Sequence, residues 1–294
     1  MDETFDDLRS RVRQVFQAAA ERRDVTFSER TLQDLTSKAI SNAEIERGGF
    51  QRILSQGDFK PSNRLAVFLA EQIRRVLKVS DVEPLFDLPS LLIESLGIET
   101  IEIEESSICG GCAVIAGQPL IFVSKSDGTQ QLFTCAHELA HVILLSSQGE
   151  SAVVDRIGDS LGTAKNPHEH FADNVALRLL IPQKGLGIAL KETRRILRAS
   201  GALGDVELLY VSRIFGVSFL AMCKRCEQAN LLPRGGATAL DRFLSEKFGG
   251  AEQRAAQLDL PPRPRFSLTA RGSVDGKEVR SSAPRPLVRS QKQL

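Results

Sequence analysis

The segment that most constrains this chain is His137-Glu138-Leu139-Ala140-His141, set inside an apolar run. Leu132, Ala136, Leu139, Ala140 and Ile143 recur around it at helical spacing, and Val142 and Leu144 widen the apolar face. A helix so apolar is buried, and two unpartnered imidazoles inside it would be costly. Positions i and i+4 lie on one helix face, one turn apart, so two imidazoles there can grip one tetrahedral ion. Glu138 falls about 100° around the helix, beside such an ion and not on it. From there its carboxylate can take a proton from water. Zinc lowers the pKa of a bound water to about 7 and can polarise a scissile carbonyl.

A third ligand is needed, and the candidates cluster. All four histidines, His137, His141, His168 and His170, lie within 34 residues of one another. Glu169 stands between the last two. Asn166 and Pro167 open a helix, Asn at the N-cap and Pro in the first position, and it runs to Ile181 before Pro182. Glu169 is therefore either a ligand or a carboxylate reaching back to the N-cap. His168 and His170 are rival ligands. Asp173 is four residues after Glu169 on the same face, placed to accept the second ring N–H of a ligating histidine, His137 first.

The flanks read as follows. Residues 5–23 and 28–35 have helical spacing, a third helix begins near Asn42, and Asn63–Val79 is a long amphipathic helix. Residues 87–96 form a helix. Residues 98–104 alternate as a half-buried strand, and 113–116 and 120–123 pair as a hairpin through Gly117-Gln118-Pro119. Thr129 caps the helix that carries the histidine pair. Helices at about 184–200, 205–215 and 218–230 follow. The expected fold class is α+β, mainly helical. A small three-stranded sheet packs beside the HExxH helix, after an all-α N-terminal domain. The boundaries are 1–82 for the helical N-terminal domain, 83–232 for the catalytic domain, 233–260 for a helical extension and 261–294 for a flexible basic tail. Five of the 12 prolines fall in that tail.

Charge is uneven. Lys plus Arg number 38 and Asp plus Glu 37, but residues 81–160 carry 13 acidic and only 2 basic side chains. That module favours a basic partner. The start of the chain has no apolar h-region, and no run of about 18 apolar residues exists, so neither a signal peptide nor a membrane span is expected. Five cysteines suit a reducing cytoplasm. Trp is absent and Tyr occurs once, at Tyr210, which argues against an aromatic platform for single-stranded nucleic acid. Cys109-Gly110-Gly111-Cys112, read as a Gly-flanked loop, and Cys223-Lys224-Arg225-Cys226 are 110 residues apart. They read as reduced small side chains, not as a second zinc site.

Thr134-Cys135-Ala136-His137-Glu138-Leu139-Ala140-His141 after the hairpin resembles the ImmA/IrrE family of zinc metallopeptidases. Glu169, Ala172, Asp173, Ala176, Leu180, Ile181 and Pro182 match the family's second helix, and Val211–Ser218 its closing segment. Asp173 for the usual Asn, Val175 for Phe and Ile181 for Met are departures. The resemblance implies a zincin-like fold and one zinc per chain on His137, His141 and Glu169, with Glu138 as catalytic base. It implies an endopeptidase that cuts a helix-turn-helix transcriptional repressor in stress response or mobile-element control. The substrate is expected in extended form along the sheet edge. Relatives often carry a DNA-binding helix-turn-helix domain, and residues 28–80 loosely resemble one. The alternative is a non-catalytic zinc-containing regulator whose N-terminal helices bind DNA.

Overall fold

The computed structural model describes residues 5–41, 61–125, 130–146, 151–156 and 166–263. Helices α1 (Phe5–Glu21), α2 (Glu29–Ser41), α3 (Asn63–Val76) and α4 (Leu88–Leu96) lead into strands β1 (Glu99–Ile103), β2 (Ile108–Ile115) and β3 (Gln118–Ser124). Then come α5 (Gln131–Leu145), β4 (Ser151–Arg156) and α6 (Pro167–Leu180). Helices α7 (Gln183–Leu197), α8 (Asp205–Phe215), α9 (Phe219–Gln228), α10 (Gly236–Phe248) and α11 (Ala251–Gln257) complete the described chain. The α+β class holds, with helix predominant. Among the described residues no single helix is long and apolar enough to cross a membrane.

Among the described residues the sheet has four strands, not three, in the order β1-β3-β2-β4. β1 runs parallel to β3, while β2 is antiparallel to both β3 and β4. The added strand, β4, is short and flanked by polar sequence, so its four central residues gave little periodic signal. Cys109-Gly110-Gly111-Cys112 belongs to β2 and is not a loop. Its glycines have a packing reason. A Cβ on Gly110 would lie 2.6 Å from Thr134 Cγ2 on α5 and 2.7 Å from the Phe122 carbonyl oxygen. The strand and the histidine helix can approach closely only because that side chain is missing.

Both sheet faces are covered. Cys112, Val114, Ile121 and Val123 face α5 in the larger core, which also contains α3, α4, α6, α8 and α9. Their strand neighbours Ala113, Ile115, Leu120 and Phe122 point the other way, as a period of two requires. There they meet Val12, Phe16 and Ala19 of α1 and Leu32, Leu35 and Ala39 of α2. Phe16 and Phe27 both meet the Phe122 ring edge-on, with centroids 6.1 and 6.2 Å apart. The described helices before residue 83 thus contribute a layer of the structure: α1 and α2 seal the far face of the sheet, and α3 packs on α6. Arg74 of α3 is buried and donates to the carbonyls of Leu179 (2.6 Å) and Glu83 (2.6 Å). The third helix expected near Asn42, Thr129 as a cap, and the tail from residue 264 onward lie outside the described residues. Helix α5 instead starts after Gln130, which offers no side-chain cap bond.

If α1 and α2 are integral, emptying their core should cost as much as any core truncation. Phe16→Ala should lower stability by about 3–5 kcal/mol in urea unfolding. A loss below about 1 kcal/mol would mean that these helices dock loosely on a sheet that is stable without them.

Candidate metal centre

Helix α5 is buried along almost its whole length, and His137 and His141 are 7 % and 3 % exposed. Their ring centroids are 4.8 Å apart and their Nε2 atoms 3.0 Å apart. Helix α6 begins as the sequence suggests, with the Asn166 side chain accepting from the His168 N–H at 2.9 Å. That start carries Glu169 to the histidines: its Oε2 lies 3.2 Å from both Nε2 atoms. Glu169 therefore faces the histidines, and the reach back to the N-cap is not what it does. His168 and His170 are exposed on other faces of α6. Asp173, one turn on, places Oδ1 3.0 Å from His137 Nδ1, the nitrogen that points away from the cluster.

Two participants escaped the sequence reading. Asp155 of β4 puts Oδ2 3.1 Å from His137 Nε2. Strand alternation explains its direction. Ala152 and Val154 join the core under α1 and α2, so Val153 and Asp155 face α5. A register shift in the β2–β4 ladder between Ile108 and Gly110 sits beside it, at the pair Gly110–Asp155. Such irregularities re-aim side chains at sites. The second is Arg23, just after α1, whose Nη2 lies 2.7 Å from Glu169 Oε1 and 3.6 Å from Asp155 Oδ1. Neither has a local motif, since each is brought in by tertiary packing.

Four donor atoms, from His137, His141, Asp155 and Glu169, lie within 4.8 Å of one another. Among the described residues no other group of three or more His, Cys, Asp or Glu side chains converges in this way. None of the five cysteines is in a disulfide, and the two pairs form no common site. His137 Nε2 faces three neighbours yet can carry one proton. A cation at the centre would satisfy all of them together. A tetrahedral zinc with bonds of about 2.0–2.1 Å needs donor–donor edges of about 3.3–3.4 Å. Four of the six donor pairs, at 3.0–3.2 Å, come within a few tenths of that, and no pair is more than 4.8 Å apart. The donor set, two imidazoles and hard carboxylates, suits zinc or a similar divalent ion.

The electrostatics are those of a site made for positive charge. Burial disfavours a charged His137, but its bonds to Asp155, Asp173 and Glu169 prevail and push it well above the ordinary histidine value. Burial alone would raise Glu169, yet the two histidines hold it well below the carboxylate range. Glu138 behaves oppositely. It is 0 % exposed, and burial, reinforced by the charge of Asp155, pushes its carboxyl well above the usual range. Neither Glu138 oxygen has a hydrogen-bond partner among the described residues, although Cys112 and Asp155 are neighbours. A buried, unpartnered carboxylate is expensive, and a donor arriving at the site would relieve it. Tyr210 lines a separate groove against α7, beside Ile188 and Ile196.

Residues 93–227 match the Peptidase_M78 family model, the IrrE N-terminal-like domain. The chain carries a Peptidase_M78 domain. The match agrees with the resemblance read from the HELAH helix, and it makes the domain one of a metallopeptidase family. It runs from α4 to α9 and so includes α5, β4 and α6, with all four donors. It leaves out α1–α3, and with them Arg23. Comparison with curated proteins gives no match.

The Asp173–His137 contact fixes the ring so that Nε2 points to the centre, and its loss should be felt as metal affinity. Asp173→Ala should weaken zinc binding by about 10–100-fold in a chelator competition titration. Unchanged affinity would remove Asp173 from that role.

Proposed function

We propose that the protein is a zinc-dependent endopeptidase that hydrolyses a peptide bond in a regulatory protein. The observation that carries the reading is the pairing of a divalent-cation donor set with an unpartnered, buried Glu138 beside it. His137, His141 and Glu169 hold the ion. A zinc ion held there would acidify a water and polarise the scissile carbonyl. Glu138 accepts the proton of the attacking water and passes it to the leaving amine. Its raised proton affinity suits that role, because a carboxylate that holds a proton more firmly takes one from water more readily. Asp173 keeps His137 in one tautomer. A metal-holding scaffold without chemistry has no use for an unbonded buried carboxylate at that position, which favours catalysis over a purely structural zinc.

The substrate class rests on the family resemblance, and edge geometry supports the binding mode. β1 and β4 are the edges of the sheet, and β4 carries a donor of the cluster. An extended peptide pairing along β4 would run past the histidines. A basic target remains favoured by the acidic residues 81–160, though less than composition suggests. Lys38 pairs with Glu99 at 2.5 Å, Arg30 with Glu104 at 3.9 Å, and Arg23 with the site itself. The N-terminal helices thus neutralise part of that charge internally. A helix-turn-helix repressor, exposing the lysines and arginines of its DNA-binding face, fits the remainder. We assign the protein to the cytoplasm on the same reading, and regulation of transcription or stress response as its context.

Glu138→Gln should keep zinc and fold while cleavage of a repressor encoded nearby falls by about 10²–10⁴-fold. His137→Ala and Glu169→Gln should lose zinc as well as activity. Casein should be cut poorly by the wild type. Efficient casein digestion with the repressor left intact would overturn the regulatory reading, and near-wild-type activity in Glu138→Gln would overturn the assigned base.

A further inference from the structure

We propose that Asp155 is a fourth protein ligand of the metal, so that the coordination shell in this conformation is closed by side chains alone. The inference rests on the metallopeptidase reading and adds to it a donor from outside the two motif helices.

The two aspartates face different nitrogens of the His137 ring. A carboxylate that merely supports a ligating histidine binds the ring from behind, and Asp173 does this at Nδ1, 3.0 Å away. Asp155 instead approaches Nε2, at 3.1 Å, the same atom that faces Glu169 at 3.2 Å and His141 at 3.0 Å. Two carboxylates converging on one imidazole nitrogen repel each other unless a cation lies between them. Their other oxygens confirm the arrangement. Glu169 turns Oε1 and Asp155 turns Oδ1 toward the one guanidinium of Arg23. Each carboxylate therefore has one oxygen turned outward to Arg23 and one turned inward, that of Glu169 to both histidines and that of Asp155 to His137. Asp155 and Glu169 thus share two partners, His137 Nε2 and Arg23, and a cation at His137 Nε2 would lie within reach of both.

The four donors are not equal in how firmly they are held. His137, His141 and Glu169 stand on helices packed on each other, whereas Asp155 stands on an edge strand paired with β2 alone. Its outward oxygen meets Arg23 at 3.6 Å, beyond hydrogen-bond range, against 2.7 Å for Glu169. Asp155 is thus the donor that can withdraw at least cost and leave the fourth position to water. A peptide pairing along β4 would act on the strand that carries it.

The test uses the full-length chain loaded with cobalt(II) in place of zinc. Asp155→Cys puts a thiolate at the proposed ligand position, and sulfur bound to cobalt gives an intense near-ultraviolet charge-transfer band. That band should appear in Asp155→Cys and be absent from the wild type, which separates ligation from mere packing. In zinc competition, Asp155→Ala should lose at least the ~10–100-fold that removal of a ligand's hydrogen-bond partner costs. Thermal unfolding of the metal-free variants should match the wild type, which excludes misfolding as the cause. Cobalt bound to Asp155→Cys without the band, or wild-type zinc affinity in Asp155→Ala, would overturn the fourth ligand and leave the three-ligand centre standing. A wild-type protein that takes up neither metal would overturn both.

Discussion

The structure depends on one electrostatic constraint. Two imidazoles and two carboxylates meet within a few ångströms beneath an apolar helix, where unpaired charge is heavily penalised. Such a group is tolerable only when it is neutralised, by protons in the free protein or by a cation when one is bound. The features around it follow from that need. Arg23 sits on the outward carboxylate oxygens, Asp173 holds the back of His137, and Glu138 is left buried without a bond partner among the described residues. A cation bound here would therefore couple to folding, since the site is assembled from elements far apart in the chain.

The architecture serves this centre by holding three elements around α5. Helix α6 supplies Glu169 and Asp173 from one face. Strand β4 supplies Asp155, aimed by alternation. The turn after α1 supplies Arg23. That last contribution makes the N-terminal helices part of the site as well as part of the core, because the same α1 that buries Phe16 against Phe122 positions Arg23 at Glu169. Arg23 lies outside the family-matched segment, so the N-terminal layer contributes a contact to the site from beyond that segment. The internal pairing of Lys38 and Arg30 with acidic residues of and after β1 explains why the charge asymmetry along the sequence is muted in three dimensions.

What could be read from the sequence was local. The HELAH helix, the Asn166-Pro167 start of α6 and the Glu169/Asp173 spacing all follow from helical periodicity and capping, and each element stands where those rules put it. The choice of Glu169 over His168 and His170 rests on the family resemblance, since capping and spacing leave all three open. What escaped is non-local. Asp155 sits in a short strand whose partner is 40-odd residues away, and Arg23 is one arginine among many after an ordinary amphipathic helix. The apolar residues of β2 and β3 alternate between two cores, so they read as one continuous apolar run. That run was the clue that something must cover the far face, and α1 with α2 is what covers it. The Gly110-Gly111 pair read as a loop because close approach to Thr134 and Phe122 leaves no mark in sequence.

X-ray absorption at the zinc edge on the metal-loaded full-length protein would decide whether this cluster holds one zinc ion. One zinc per chain is expected, with a shell of nitrogen and oxygen donors at about 2.0–2.1 Å and the outer scattering of two imidazoles. Sulfur donors at about 2.3 Å, or a shell without imidazole, would place the metal at the cysteines or elsewhere and contradict it.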